Sequence, residues 1–329
     1  MPSRVLVRAP NWLGDAVMCG PFLKELLARG RPVDVLARPG VAGLFEGFPG
    51  LSEVLVLRPD ESLRSAARRL AGRGYAAAYA LPPSFSAAAL HFLARIPERV
   101  GHATDFRSFL LTRAVRPDER FHYTRRYLQL LGDPGREPGP GDFYVPTADA
   151  AAVDAWIAGR GIDARRTLIL APGSRARARR WDPERFAAVA DRAGVEWSAV
   201  LLLGAAEDRP AADAVARAAR RPLVNLSGET PVPLAAALLR RAAALVTNES
   251  GLMHLGWAVG TPTVVVAGPS DPQATSPFGP RVRVIQRREI PCVPCVRNEC
   301  RRRGEETNLC LKAVTPEEVL EALAEITTR

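Results

Sequence analysis

Two doubly wound α/β domains in tandem are what this sequence predicts, and three observations carry the prediction. Short apolar runs alternate with longer stretches of helical apolar spacing, a Pro- and Gly-rich segment interrupts the alternation once, and the alternation then restarts. Such alternation with short connections argues for βαβ units and a parallel sheet covered by helices on both faces. At 329 residues the chain is long enough for one large or two ordinary domains, each with its own core.

In the first half, Arg4–Arg8, Val33–Ala37, Val54–Leu57 and Ala76–Leu81 read as strands. Between them Ala16–Arg29, Leu63–Ala71 and Ala87–Leu93 place apolar residues at helical spacing. Residues 132–146, "GDPGREPGPGDFYVP", hold too many Pro and Gly for an element interior and read as a connection. They set expected domains of 1–145 and 146–329. Beyond them Thr167–Ala171, Ala199–Leu203, Leu223–Leu226, Ala244–Thr247 and Pro262–Ala267 read as strands. Pro183–Ala193, Arg209–Ala219 and Pro233–Arg241 read as the intervening helices. A final helix over Pro316–Thr327 has Pro in its first turn and Thr315 at the N-cap position, and is a candidate to pack back on the N-terminal domain. Ligands in such sheets bind beyond the carboxyl ends of the strands, so two facing domains are expected to form a cleft.

Composition narrows the function classes. Apolar content of 47% and charged content of 24% are those of a soluble globular protein. No run of about eighteen apolar residues and no signal pattern appears, which reads as cytoplasmic with at most peripheral contact at the inner membrane leaflet. The formal charge is +10, yet of 45 basic residues only Lys24 and Lys312 are lysines, a bias that coding alone can produce. A basic protein favours anionic headgroups or phosphorylated substrates. Nucleic acid is not expected as a partner, because no zinc-finger, RRM or helix-turn-helix pattern accompanies the charge.

Where the first strand hands over to the first helix the sequence reads "PNWLGDAVM", with Trp12, Gly14 and Asp15. A dinucleotide loop would carry G-x-G-x-x-G there and no acid, which disfavours a dehydrogenase. Asp15 is either a helix N-cap carboxylate or a group for chemistry, and Trp12 is either a core ring or a wall of a cleft. Further on, "NESGLMHLGWAVGTPTVVVAGPSDP" ends a strand, turns through Asn248, Glu249, Ser250 and Gly251, and opens a helix with Leu252, Met253 and His254. Backbone N–H groups at such a turn suit an anion, and Gly251 allows its close approach. The alternative is an ordinary capped helix with a satisfied histidine.

These two segments, with "LAPGSRARARRWDPERFAAVA" and "VTPEEVLEAL", resemble in order and across nearly the whole chain the motifs of glycosyltransferase family 9, the heptosyltransferases. The resemblance implies a GT-B fold of two Rossmann-like domains, the C-terminal one holding the nucleotide sugar and the N-terminal one the acceptor. It implies inverting transfer of L-glycero-D-manno-heptose from ADP-heptose to an inner-core heptose or Kdo of a lipid A–core glycolipid, with no cofactor required for catalysis. Asp15 is then the expected base. Arg179, with Arg180 and the Ser174 hydroxyl, is expected to meet the leaving diphosphate. Gly14 and Trp12 are expected to shape the acceptor side, while Asn248, Glu249, Ser250, Gly251, Leu252, Met253 and His254 hold the donor. Glu207, in "LLLGAAEDRPAA", is either a ribose contact or an acid at a helix start.

The sequence departs from the family pattern in two places. Arg179 stands where a lysine is usual, which keeps the charge. Glu249 stands where an aspartate is common, which keeps open another nucleotide sugar or a glycan acceptor outside lipopolysaccharide. A protein that binds a nucleotide sugar without turnover is the reading from another class, and Asp15 speaks against it.

Of five cysteines, Cys19 falls in the first helix, and Cys292, Cys295, Cys300 and Cys310 form C-x2-C-x4-C-x9-C. That spacing makes them a candidate structural Zn site, with an iron–sulfur cluster, redox disulfides or free thiols as alternatives.

Overall fold

A computed structural model of the protein describes residues 4–132, 147–194 and 197–327. The chain divides into two compact units, Met1–Tyr144 and Val145–Arg329. The Pro- and Gly-rich connection beyond Gly132, and with it the boundary expected at residue 145, lies outside the described residues.

The first unit is built on six parallel strands: β1 (Arg4–Arg8), β2 (Val33–Ala37), β3 (Leu51–Val56), β4 (Tyr75–Ala80), β5 (Glu98–His102) and β6 (Arg113–Val115). Their order across the sheet is β3-β2-β1-β4-β5-β6. Strands covered on both faces need continuous apolar runs, and Val5, Leu6 and Val7 of β1 are fully buried. Leu6, Leu36 and Leu55 meet Leu70 and Leu90 of the flanking helices in one cluster. β4, "YAAAYA", has weak strand propensity and is a strand because it lies between β1 and β5.

The expected first helix is two, Leu13–Met18 and Gly20–Ala28. Pro21 has no N–H to donate to the carbonyl one turn back, so it sits in the first turn of a new helix instead.

The second unit repeats the plan with β7 (Thr167–Ala171), β8 (Ala199–Leu202), β9 (Val224–Asn225), β10 (Ala244–Asn248), β11 (Thr263–Val266) and β12 (Val282–Ile285). The order is β12-β11-β10-β7-β8-β9, the first unit's order read from the other edge. Trp181 and Phe186 pack edge to face at 5.1 Å in its core. The sequence reading makes the terminal helix Pro316–Thr327 a candidate to pack back on the first domain. In the structure its Val319, Leu323 and Ile326 are buried in the second unit's own core. Its expected cap forms: the Thr315 N–H donates to Glu318 Oε2 at 2.8 Å and the Glu318 N–H donates to Thr315 Oγ1 at 3.3 Å.

Each sheet reverses its strand order once, between β1 and β4 and between β7 and β10. Ligands of open α/β sheets bind outside the carboxyl ends of the strands at such reversals. Among the described residues no helix is long and apolar enough to cross a membrane.

Two buried histidines give the first unit a pH signature. Burial, reinforced by Arg8, Arg107 and Arg99, lowers the His91 pKa to about 3. Burial lowers His102 to about 4, against a hydrogen bond to the Arg126 carbonyl that raises it. Unfolded, each binds a proton near pH 6.5; folded, neither does until pH 4 or 3. Stability is therefore complete above about pH 6.5 and declines as pH falls below it. Neither ring nitrogen of His91 has a hydrogen-bond partner among the described residues. His91→Leu is expected to reduce the loss of unfolding free energy between pH 7 and pH 5 by about 2 kcal/mol. Urea midpoints at the two pH values check this.

Candidate active site

At the carboxyl end of β1 the chain is clamped by Arg8, which is buried. Its guanidinium donates to the carbonyls of Ala9 and Leu36 and to Asn11 Oδ1. Burial first, then Arg38, lowers its pKa to about 10, which leaves it charged at neutral pH. The clamp fixes the turn that presents Trp12, whose backbone is extended and whose ring is 56% exposed. Trp12 is therefore a surface ring, not a core one.

Trp12 also occupies the N-cap position, without a side-chain cap bond. Asp15 lies in the first turn of the helix, so the N-cap alternative for it does not hold. Gly14 and Asp15 are half-buried. Burial raises the pKa of Cys19 and of Tyr127, and in both the charge of Asp15 is the next cause. A carboxylate thus stands at the first sheet's reversal, partly open to solvent and backed by a thiol and a phenol.

In the second unit the loop after β7 and the turn after β10 meet at the corresponding place. Asn248, fully buried, donates from Nδ2 to the Pro172 carbonyl at 2.6 Å and accepts the Trp181 N–H on Oδ1 at 3.1 Å. The Ser174 hydroxyl donates to the Glu249 carbonyl at 2.9 Å, and Arg180 Nε donates to the Ser174 carbonyl at 2.6 Å. The side chain of Asn248 and the hydroxyl proton of Ser174 thus tie the two loops together. They position the site where sequence reasoning has them touch substrate.

Glu249 is 3% exposed and accepts the Gly268 N–H on Oε2 at 3.0 Å. Burial raises its pKa, while the Gly268 N–H, Arg179, and the hydroxyl and N–H of Ser270 act to lower it. Glu249 Oε1 and Arg179 Nε are buried without a hydrogen-bond partner among the described residues. Ser250 begins the helix Gly251–Ala258 without a side-chain cap bond. His254 is buried one turn in, and Leu252 is half-buried. Met253 packs on Val265 and Ala267, so it belongs to the core rather than to a ligand wall.

Past β8, Glu207 is exposed in the turn Ala206–Asp208, and its neighbour Asp208 holds the more consequential place. Asp208 Oδ2 accepts the Ala205 N–H at 3.1 Å, and burial raises its pKa. A methyl group on Gly173 would lie 2.1 Å from Asp208 Cγ, and one on Gly204 would lie 2.7 Å from its Cβ. Sequence reasoning misses Asp208; the signal is that both strand-end glycines face it. Gly173→Ala is expected to lower unfolding stability by about 1–3 kcal/mol, because the added methyl overlaps the Asp208 side chain. Gly173→Ala with Asp208→Ala should recover part of that loss, as urea midpoints would show.

The four-cysteine segment brings Cys292, Cys295 and Cys300 into the neighbourhood of Cys310. Among the described residues no three His, Cys, Asp or Glu side chains are grouped to hold an ion. All the cysteines are free thiols. The Asn308 N–H donates to Cys300 Sγ at 3.4 Å, and Arg302 hydrogen-bonds Cys292. Burial, with the neighbouring Cys292, Cys300 and Cys295, pushes Cys310 up to about 11. The segment also braces the second unit: the Ala178 N–H donates to the Asn298 carbonyl at 3.0 Å, and the Val296 N–H to the Pro269 carbonyl at 2.7 Å.

Residues 63–305 match the family described as glycosyltransferase family 9 (heptosyltransferase). The chain is 30% identical to lipopolysaccharide heptosyltransferase 2 of Salmonella typhimurium, over 97% of each chain. It is 28% identical to lipooligosaccharide heptosyltransferase 2 of Haemophilus influenzae, over 98% of this chain and 99% of the relative. Among solved structures, that of the Escherichia coli ADP-heptose lipopolysaccharide heptosyltransferase II is similar with a TM-score of 0.83, at 28% identity over 98% of each chain.

Proposed function

Because this chain belongs to glycosyltransferase family 9, the heptosyltransferases, we propose that it transfers L-glycero-D-manno-heptose from ADP-heptose to a hydroxyl of an inner-core heptose or Kdo on a lipid A precursor, with inversion at the anomeric carbon. It is a glycosyltransferase with the two-sheet GT-B fold. The first unit takes the acceptor and the second the nucleotide sugar. The acceptor is carried in a membrane, which the enzyme meets from the cytoplasmic side.

The observation that carries the donor assignment is the pair of buried, unpartnered atoms Arg179 Nε and Glu249 Oε1 at the strand reversal of the second sheet. Buried polar groups in folded proteins are almost always paired, so an unpaired donor and acceptor on the two loops support a ligand that completes them. A nucleoside diphosphate meets Arg179, and the sugar hydroxyls meet Glu249. Gly251 lets the diphosphate approach the backbone. Glu207, exposed in the turn after β8, is the proposed contact of the ribose hydroxyls.

The acceptor hydroxyl oxygen attacks the anomeric carbon while Asp15 takes its proton. The bond from that carbon to the phosphate oxygen breaks, and the electron pair leaves with ADP. The growing charge on the phosphate falls to Arg179. Arg180 and Ser174 hold the loop that presents it. No step requires a group beyond the two substrates and these side chains.

Initial rates with ADP-heptose and a panel of other ADP-, UDP- and GDP-sugars test the reading, with Kdo-lipid A and its mono-heptosylated form as acceptors. The expected result is turnover of ADP-heptose at least a hundredfold above UDP- and GDP-sugars. Turnover of another nucleotide sugar in its place would overturn the donor assignment.

A further inference from the structure

The helix Phe85–Leu93 and the loop after β5 carry aromatic rings that the transfer reaction does not use. Phe106 is 96% exposed, Phe109 74%, Phe92 49% and Phe85 44%. Phe85 and Phe109 pack with their centroids 6.1 Å apart. Phe92 lies two helical turns from Phe85 on the same helix face. The Arg99 guanidinium sits 5.5 Å over the Phe92 ring. Single exposed rings are ordinary, whereas a contiguous group marks an interaction surface.

The group is held in place by buried machinery. Asp105 and Phe106 both adopt left-handed backbone, φ 51 and 50, which residues with a Cβ avoid. Arg107, fully buried, imposes it by donating to the carbonyls of Ala80, Pro82, Ser84 and His102. The Asp105 carboxylate accepts the Phe85 N–H at 2.6 Å, and the Thr104 hydroxyl donates to the Pro83 carbonyl at 3.1 Å. A buried arginine and two strained residues therefore fix a phenyl ring in water, which gains nothing within the unit.

We infer that this aromatic face docks on the surface of an anionic lipid bilayer; the inference rests on the proposed membrane-borne acceptor. Charge selects the occupant. Arg95 is exposed just beyond the helix that carries Phe92, and Arg99, over the Phe92 ring, also donates to the carbonyls of Ile96, Pro97 and Leu110, while the loop's one carboxylate, Asp105, is engaged with the Phe85 N–H. Rings beside an exposed guanidinium match the headgroup boundary, where the rings reach the acyl region and Arg95 pairs with lipid phosphate. A second copy of the chain docking by a two-fold would set this same basic patch against itself. The loop after β5 and the turn bearing Asp15 after β1 emerge from the same sheet edge with one strand, β4, between β1 and β5. At strand spacing that is about 10 Å, which brings the base near the plane where a glycolipid headgroup leaves the bilayer.

Vesicle flotation tests the docking, using phosphatidylcholine alone and phosphatidylcholine with phosphatidylglycerol. The wild type is compared with the double variant Phe106→Ser, Phe109→Ser. Both proteins are also assayed for heptose transfer to a delipidated, water-soluble acceptor, which reports folding and chemistry without a membrane. The wild type is expected to partition at least tenfold better to phosphatidylglycerol vesicles than to neutral ones. The variant should lose at least tenfold of that partition while turning over the soluble acceptor at the wild-type rate. Equal partition of variant and wild type, or equal binding to both vesicles, would overturn docking. So would a dimer, seen by light scattering, that the variant dissociates. If neither protein turns over the soluble acceptor while the flotation difference stands, docking survives and the proposed transfer falls.

Discussion

Asp15→Asn is expected to lower kcat for heptose transfer by about 10²–10⁴-fold, the usual contribution of a positioned general base. Asparagine keeps the size and the helical first turn and removes only the ability to accept a proton. The proposed donor groups lie on the other unit, so the affinity for ADP-heptose should change less than twofold. The acid limb of the kcat/KM profile, which reports protonation of the free base, should disappear in the variant. Cys19 and Tyr127 give a second readout, because both feel the charge of Asp15. Removing that charge should let the phenol titrate at lower pH. A variant that retains kcat within fivefold, with its acid limb intact, would remove Asp15 from the chemistry and leave it a helix-start acid.

Arg179→Met is expected to cost about 10²–10³-fold in kcat, the magnitude seen when one donor to a developing anion is deleted. Its effect should exceed that of Arg175→Met or Arg177→Met, since both of those side chains are exposed. Arg179→Lys should retain most of the activity, because charge matters more here than a bidentate fork. The substitution to methionine also leaves Glu249 buried without its nearby cation, so the Glu249 pKa should rise further. A single-turnover rate with saturating donor separates the chemical loss from any loss of binding. Equal effects at Arg179 and Arg177 would mean that the loop acts only as a diffuse positive surface.

Much of this was legible in the sequence, and the exceptions have physical causes. The central strands are nearly continuous apolar runs and read correctly, as in "RVLVR" and "TLILA". β5, β6 and β12, "ERVGH", "RAV" and "VRVI", were missed because arginine and glycine break their apolar pattern. Strands at or near an edge, β6 and β12 among them, need less burial and tolerate charge. The site was legible as motifs but not as contacts. Asn248 and Ser174 have the residue types of ligand contacts, and only the fold shows that they join two loops. Asp208 and Glu207 are adjacent acids in one turn, and which of them faces the strand ends is set by the turn's rotation, not by sequence. The cysteine spacing suits a metal, but spacing along the chain does not fix where sulfur atoms point.

The most direct measurement is the structure of the product formed from ADP-heptose and a Kdo-lipid A acceptor, followed by mass spectrometry and NMR while ADP release is counted. The expected result is one heptosyl residue added for each ADP released, with the anomeric configuration opposite to that of the donor. Retention of configuration would contradict direct displacement by the acceptor hydroxyl with Asp15 as its base. ADP released without sugar on the acceptor would contradict transfer itself.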